Sequence, residues 1–503
     1  MGKNQIKNIS VKNLPATNKS NRSLLIYKIL FITSSSILFS LFVYAIYDGK
    51  FFPTSEDETI YYNSARLFQQ TNSIQASDCV MEEVSKIGRC NWYGPFYNIF
   101  YGSLAKIIGY ESIQFVIIHF LLILSCFLLI YKFPLESMIK WQIALCFILS
   151  EVANVFIFTY FPESFHLFSG FVLTFLLILI FQNDNPFYKY LYIASVLFFT
   201  FTRPTAIFWM IGLIPFAKNK MEYWIYAIIF VSGVLVTMIF QKFFFAPAWA
   251  SGLKTIDYLY KFEVFKFINH SSKQFFQNGK NLFQVHNSFV IFFFFLTFIR
   301  ALIIKNKFLT STALICSVIL VLLLAFYDTN PLFFIKQVAF MIPLMITANL
   351  TIKSPRNYLI ILFMLLTFPF TIRFTYSKIR DSKSAYTYRE NQKEFVSSLA
   401  DIVNYVEPEK KNTILWSYNE YHYPAAEALI PLATSKGFPI LYTTNITDTN
   451  APPEEKFRLY NKLKVDYILS RFQLAKPELK LLVSNKYYYF YKNKVTVQSK
   501  MKK

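Results

Sequence analysis

Three acidic side chains in a row, Glu56, Asp57 and Glu58, follow the first long apolar run, in the stretch FFPTSEDETIYYNSARLFQQ at residues 51–70. A carboxylate held rigidly at a membrane boundary suits a general base or a metal ligand. Ser55 with Glu58 three residues later is equally a capping-box pattern, and the helix dipole favours acids in a first turn. The two readings divide the cluster: Ser55 and Glu58 account for a cap, and Asp57 is the acid left for chemistry. Tyr61, Ala65 and Phe68 are spaced to share a helical face with Asp57, which sets an aromatic wall beside that carboxylate.

Further along, TYFPESFHLF places Glu163 and His166 at the start of an apolar run. Glu163 reads either as a helix-start charge or, with Asp57 and His166, as part of a divalent-cation site. In FTRPTAIFWMIGLIP, Pro204 interrupts an apolar stretch and leaves Arg203 at membrane depth, where a charge needs a partner. Lys336, in YDTNPLFFIKQVAFMIPLM, reads as a snorkelling cation or as a ligand contact. His119 lies in an otherwise apolar run and reads as a packed core histidine. No P-loop, Rossmann glycine pattern or HExxH motif is present, and 12 glycines leave little for a nucleotide-sugar fold.

The elements that must position these residues are membrane helices. Of 503 residues, 54% are hydrophobic and only 16% charged, against about 25% charged in soluble proteins. Apolar runs at roughly 24–46, 112–131, 140–158, 164–181, 188–202, 205–217, 223–245, 288–304, 308–326, 335–350 and 357–376 predict about 11 crossings. The formal charge of +22 fits the positive-inside rule with a cytoplasmic N-terminal tail at 1–23, so no nucleic-acid partner is expected. External loops then fall at 47–111 and 246–287. Residues 95–109 read as an interfacial helix, and the aromatic and lysine-rich 246–287 loop as an interface-lying segment or a lid. The tail, 377–503, reads as an extracytoplasmic α/β domain with strands in NTILWSY, FPILYTT, VDYILSR and YYYFYKN, and helices in YRENQKEFVSSLADIVNYV and PEEKFRLYNKL. Cys79 and Cys90, both in the first external loop, form a disulfide or remain two free thiols.

The order DETIYYNSA, YGPFYNIFYGSLAKIIG, TYFPESFHLF, FTRPT and FFIKQVAFMIP resembles the GT-C glycosyltransferases, closest to the protein O-mannosyltransferase and aminoarabinose lipid A transferase branch. The resemblance covers residues 24–376. It implies a polytopic α-helical fold and transfer of a sugar from a polyprenyl-phosphate donor to a lipid, glycan or protein acceptor outside the cytoplasm. Asp57 is then the catalytic acidic residue, Glu58 its companion, and Glu163 with His166 a second acidic site. Arg203 and Lys336 become the donor-phosphate contacts, although Lys336 stands where many members carry Arg-Tyr. The chemistry agrees with these residue types, since a sugar phosphodiester needs a base for the acceptor hydroxyl and cations for the leaving phosphate. No cofactor is required beyond an optional divalent cation, and the expected location is a bacterial cytoplasmic membrane. Two other functions fit many spans with intramembrane charges: a flippase for a lipid-linked glycan, and an oligosaccharide polymerase or ligase.

Overall fold

The computed structural model describes residues 18–72, 74, 80–81, 95–109, 111–183, 185–244, 258, 261–282, 288–304, 306–326, 336, 338–352, 354, 357–391, 393–399, 402, 405, 414–417, 440–442, 467–470, 473–474 and 477–494. Helix α1 spans Asn18–Ile46, and α2 (Glu56–Thr71) and α3 (Pro95–Ile108) follow it. A helical series comes next: α4 (Ser112–Lys132), α5 (Ser137–Leu149), α6 (Glu151–Val155), α7 (Glu163–Asn183) and α8 (Pro186–Thr200). A 3-10 helix, Pro204–Phe216, leads into α9 (Lys220–Phe244), α10 (Val264–Leu282), α11 (Ser288–Ile304), α12 (Lys307–Phe326), α13 (Ile342–Leu350), α14 (Asn357–Asn391) and α15 (Lys393–Leu399).

Among the described residues, six helices are long and apolar enough to cross a membrane, or seven if α5 and α6 form one bent span. The chain is an integral membrane protein. Pro204–Phe216, Phe289–Ile304 and Ala339–Leu350 are apolar but shorter. Each coincides with an expected crossing.

Three expected spans differ in form. The run at 140–158 is bent by 62° at Ser150. Ser150 Oγ accepts from Ala153 N–H at 3.3 Å, and the Asn154 amide donates to the carbonyls of Ile148 and Ser150 at 2.6 and 2.7 Å, so the freed backbone groups are satisfied inside the break. The run after Arg203 is a 3-10 helix of 13 residues, which at about 2.0 Å per residue reaches about as far as a much longer α-helix. The last span does not stop at 376: α14 continues to Asn391, 35 residues in all.

Among the described residues, six strands form one sheet in the order β1-β3-β2-β4-β6-β5. They are β1 (Val80–Met81), β2 (Ile414–Ser417), β3 (Ile440–Tyr442), β4 (Tyr467–Ser470), β5 (Leu479–Ser484) and β6 (Tyr489–Asn493). Four lie in the four runs expected from sequence. The fifth, β5, pairs antiparallel with β6 around a turn in which Asn485 Oδ1 accepts from Tyr487 and Tyr488 N–H. The sixth, β1, comes from the first loop and pairs parallel with β3. PEEKFRLYNKL lies outside the described residues.

Helix α10 has two characters. Its inner side docks on the end of α12, where the Asn278 amide donates to the Leu324 carbonyl at 2.9 Å. Phe265 and Phe276 project outward beside exposed Lys266, Lys273 and Lys280, the pattern of an in-plane amphipathic helix.

Candidate functional site

Helix α2 begins on Ser55, whose side chain accepts from Glu58 N–H at 3.4 Å. The reciprocal half of the capping box is displaced by one residue. Glu58 Oε2 accepts from the Thr54 N–H at 2.6 Å and from the Thr54 hydroxyl at 3.1 Å. Glu58 is fully buried, and Lys378 Nζ stands 2.8 Å from its Oε1. Lys378 also hydrogen-bonds the Thr54 hydroxyl. Asp57 sits in the same first turn of α2; its side chain lies outside the described residues.

Lys378 belongs to the part of α14 that sequence reasoning had assigned to the tail. This extension meets the 44–58 segment at several points. Tyr376 stacks on Tyr44 with centroids 5.8 Å apart, Lys383 pairs with Asp48, and the Arg389 guanidinium lies 4.9 Å from the Phe52 ring centroid. Partial burial disfavours the Asp48 carboxylate, but hydrogen bonds from Lys383 and from the Lys50 backbone outweigh it and hold its pKa below the usual range.

Tyr61 of α2 packs in an aromatic cluster shared between helices. The Tyr61 ring meets Tyr97 of α3 at 4.4 Å and Phe161 at 6.0 Å, and Tyr97 stacks on Tyr101 at 4.3 Å. The Tyr97 hydroxyl donates to the Tyr160 carbonyl at 2.7 Å. Burial, then Tyr101 and Tyr160, then the charges of Glu58 and Glu163 push the Tyr97 phenol well above its ordinary pKa, so it stays a donor. The approach of α3 to α2 depends on Gly102, where a Cβ would stand 2.7 Å from the Phe68 ring and 2.9 Å from the Ala65 carbonyl oxygen. His119 is buried on the far side of α3, with its Nε2 2.8 Å from the Tyr101 hydroxyl.

The second acidic site is assembled from α7 and the turn after α8. The residue before a proline is driven out of the α region, and Arg203 is extended at φ −148°, ψ 112°. Its guanidinium is buried with Nη1 2.7 Å from His166 Nδ1 and 3.6 Å from Glu163 Oε1. A guanidinium only donates, so His166 Nδ1 is the acceptor and the ring hydrogen sits on Nε2. That Nε2 is buried and has no hydrogen-bond partner among the described residues. Lys336 is half-buried, with Nζ 3.4 Å from the centroid of the Phe161 ring.

Glu163, His166 and Arg203 thus come together as the sequence order suggests, and Phe161 links them to Lys336 on one side and to Tyr61 on the other. The residue that sequence reasoning missed is Lys378. The available signal was its place just beyond the last span, at the end of the bundle where the acids must lie. Glu163 and His166 do not fit a divalent cation, because Arg203 already places a fixed positive charge on both and the protonated Nε2 cannot ligate. Among the described residues no group of three or more His, Cys, Asp or Glu could hold a metal. Cys79 and Cys90 lie outside the described residues; Cys126, Cys146 and Cys316 are buried free thiols.

No family model and no curated protein matches this chain. Among solved structures it is similar to ArnT from Cupriavidus metallidurans in the apo state, at 8% identity and a TM-score of 0.45, over 92% of this chain and 98% of that one. It is also similar to ArnT from Cupriavidus metallidurans bound to undecaprenyl phosphate, at 9% identity and a TM-score of 0.43, over 92% of this chain and 97% of that one.

Proposed function

We propose that the protein is a glycosyltransferase that moves a sugar from a polyprenyl-phosphate donor to a lipid, glycan or protein of the cell envelope, on the extracytoplasmic face of a bacterial cytoplasmic membrane. The observation that carries this reading is one aromatic patch, Tyr61, Tyr97 and Phe161, at which Tyr97 feels the charges of both Glu58 of α2 and Glu163, with the buried Arg203 guanidinium beside Glu163 and Lys336 over the Phe161 ring. In this arrangement Asp57 is the base that takes the acceptor hydroxyl proton. Both Glu58 oxygens are engaged by Thr54 and Lys378, so Glu58 is the companion that fixes the turn. Arg203 and Lys336 supply positive charge where the donor phosphate departs, Arg as a fork and Lys as a point charge. The His166 Nε2–H, which has no partner among the described residues, is a further donor for the substrate. Attack by the acceptor oxygen on the anomeric carbon, with polyprenyl phosphate leaving from the opposite face, gives inversion.

Eleven crossings with a cytoplasmic N-terminus put α2, α3, α10 and the sheet outside the membrane. The strands of 414–493, joined by β1 from the first loop, form the extracytoplasmic α/β domain. Its proposed role is acceptor recognition.

The test is transfer of radiolabelled sugar from a polyprenyl-phosphate donor in membranes containing the wild-type protein or Asp57→Asn. Transfer by the wild type alone supports the reading. Equal transfer by both removes Asp57 as base, and donor movement across vesicles without transfer favours the flippase. Mass spectrometry of envelope glycans in a deletion strain then identifies the sugar and acceptor by what accumulates and what is missing.

A further inference from the structure

We propose that Lys378 is a positioning residue: through the buried carboxylate of Glu58 it fixes the turn that carries Asp57, and so places the C-terminal extension of α14 in control of the acid loop. The kinetic consequence rests on the glycosyl-transfer reading; the contact does not.

The argument starts from solvation. Glu58 is 0% exposed, and a carboxylate taken out of water needs both hydrogen bonds and a countercharge. Thr54 provides the hydrogen bonds from within the same loop, at 2.6 and 3.1 Å. The countercharge comes from 320 positions away in sequence, Lys378 at 2.8 Å from Oε1. Lys378 touches Thr54 as well, so one ammonium group closes both ends of the Thr54 to Glu58 turn. Asp57 lies inside that closed turn, next to Glu58. It cannot keep its place if Glu58 moves toward water to be solvated.

Lys378 is not free to serve as a phosphate ligand at the same time, because its side chain is largely buried against Glu58. The rest of α14 reinforces the seat rather than the pair. Asp48 with Lys383 and Phe52 with Arg389 hold the incoming strand of the loop against the same helix. Of these contacts, only Lys378 reaches the helix that carries the acids.

The experiment uses the full-length protein in lipid nanodiscs, with Lys378→Met, Lys378→Arg, Glu58→Gln and the double variant. The first readout is amide exchange of residues 54–58, where the Thr54 N–H is bonded to Glu58. Exchange should quicken at least about tenfold in Lys378→Met, stay near wild type in Lys378→Arg, and fall back in the double variant, which has no buried charge left to solvate. Unchanged exchange in Lys378→Met overturns the contact. The second readout is transfer kinetics. Misplacing a catalytic group by about 1 Å costs up to about 100-fold, so kcat should fall at least about tenfold with donor KM within about twofold. A raised KM at unchanged kcat overturns positioning in favour of a direct donor contact. If the wild type transfers no sugar while the exchange result holds, the functional reading fails and the positioning contact stands. If Lys378→Met does not fold, the double variant carries both readouts: recovery of loop protection supports the proposal, and a loop as open as in Glu58→Gln alone overturns it.

Discussion

Glu58 and Glu163 are both buried carboxylates beside a cation at the same aromatic patch, and they are wired differently. Glu58 is closed off, with one oxygen on two Thr54 donors and the other on Lys378. Around Glu163 the cation is shared: one Arg203 nitrogen lies 2.7 Å from His166 and 3.6 Å from Glu163, and the far nitrogen of His166 has no partner among the described residues. A carboxylate held by two donors of its own loop and by an ammonium ion pair is a structural clamp. The His166 Nε2–H beside the shared guanidinium has no partner among the described residues and retains hydrogen-bonding capacity for a ligand. Two acids that look alike in sequence are therefore held differently, one closed within its own loop and one sharing its cation with a histidine.

The comparison can be broken most severely at Asp57, which shares its turn with the clamp. Asp57→Asn is expected to lower transfer by about 10²- to 10⁴-fold, the range of a lost general base, with expression and thermal midpoint unchanged. Next comes the shared cation. Arg203→Lys keeps the charge but loses the planar fork, and should lower kcat/KM for the donor about tenfold in a transfer assay at an unchanged thermal midpoint, whereas a lowered midpoint would assign Arg203 to folding. Packing of the clamp is tested at Gly102→Ala. The added methyl meets Phe68 and the Ala65 carbonyl, so the thermal midpoint in detergent should fall by the equivalent of about 1–3 kcal/mol.

The smallest effect concerns the Asp48 seat, whose carboxyl is held below its ordinary range. A depressed folded-state pKa stabilises above the unfolded value of about 3.9, and that contribution is lost as pH falls through the folded value. Melting curves of Asp48→Asn should therefore be lower than wild type at neutral pH by less than about 1 kcal/mol and converge with it in acid.

Much of the helical framework was legible because a membrane span is a composition signal, and Arg203 was legible because a charge at membrane depth stands out against its neighbours. The bend at Ser150 was not, since its cause is side-chain hydrogen bonding by Ser150 and Asn154, which hydropathy does not register. The clamp was hidden for a different reason. Glu58 and Lys378 are far apart in sequence, and the place of Lys378 just beyond the last span does not by itself name its partner; the continuation of α14 past its apolar segment brings it to the acids. Likewise β1 carries two residues, too few for any pattern to announce, and is defined solely by its partner.

The 3-10 helix after Arg203 has a consequence for how this chain tolerates change in length. Its inner columns are Ala206, Trp209 and Gly212, and Ile207, Met210, Leu213 and Phe216, all buried, while Thr205, Phe208, Ile211 and Ile214 form the outer column. With three residues per turn, side chains eclipse and the columns run straight instead of drifting around the axis. Deleting one residue ahead of Gly212 would turn every later side chain by a third of a revolution and set Leu213 in the place of Gly212, on which Ile315 now rests. Deleting three would leave the columns in register and shorten the segment by about 6 Å. Length variants of this segment should therefore be accepted in threes, unlike those of any α-helix beside it.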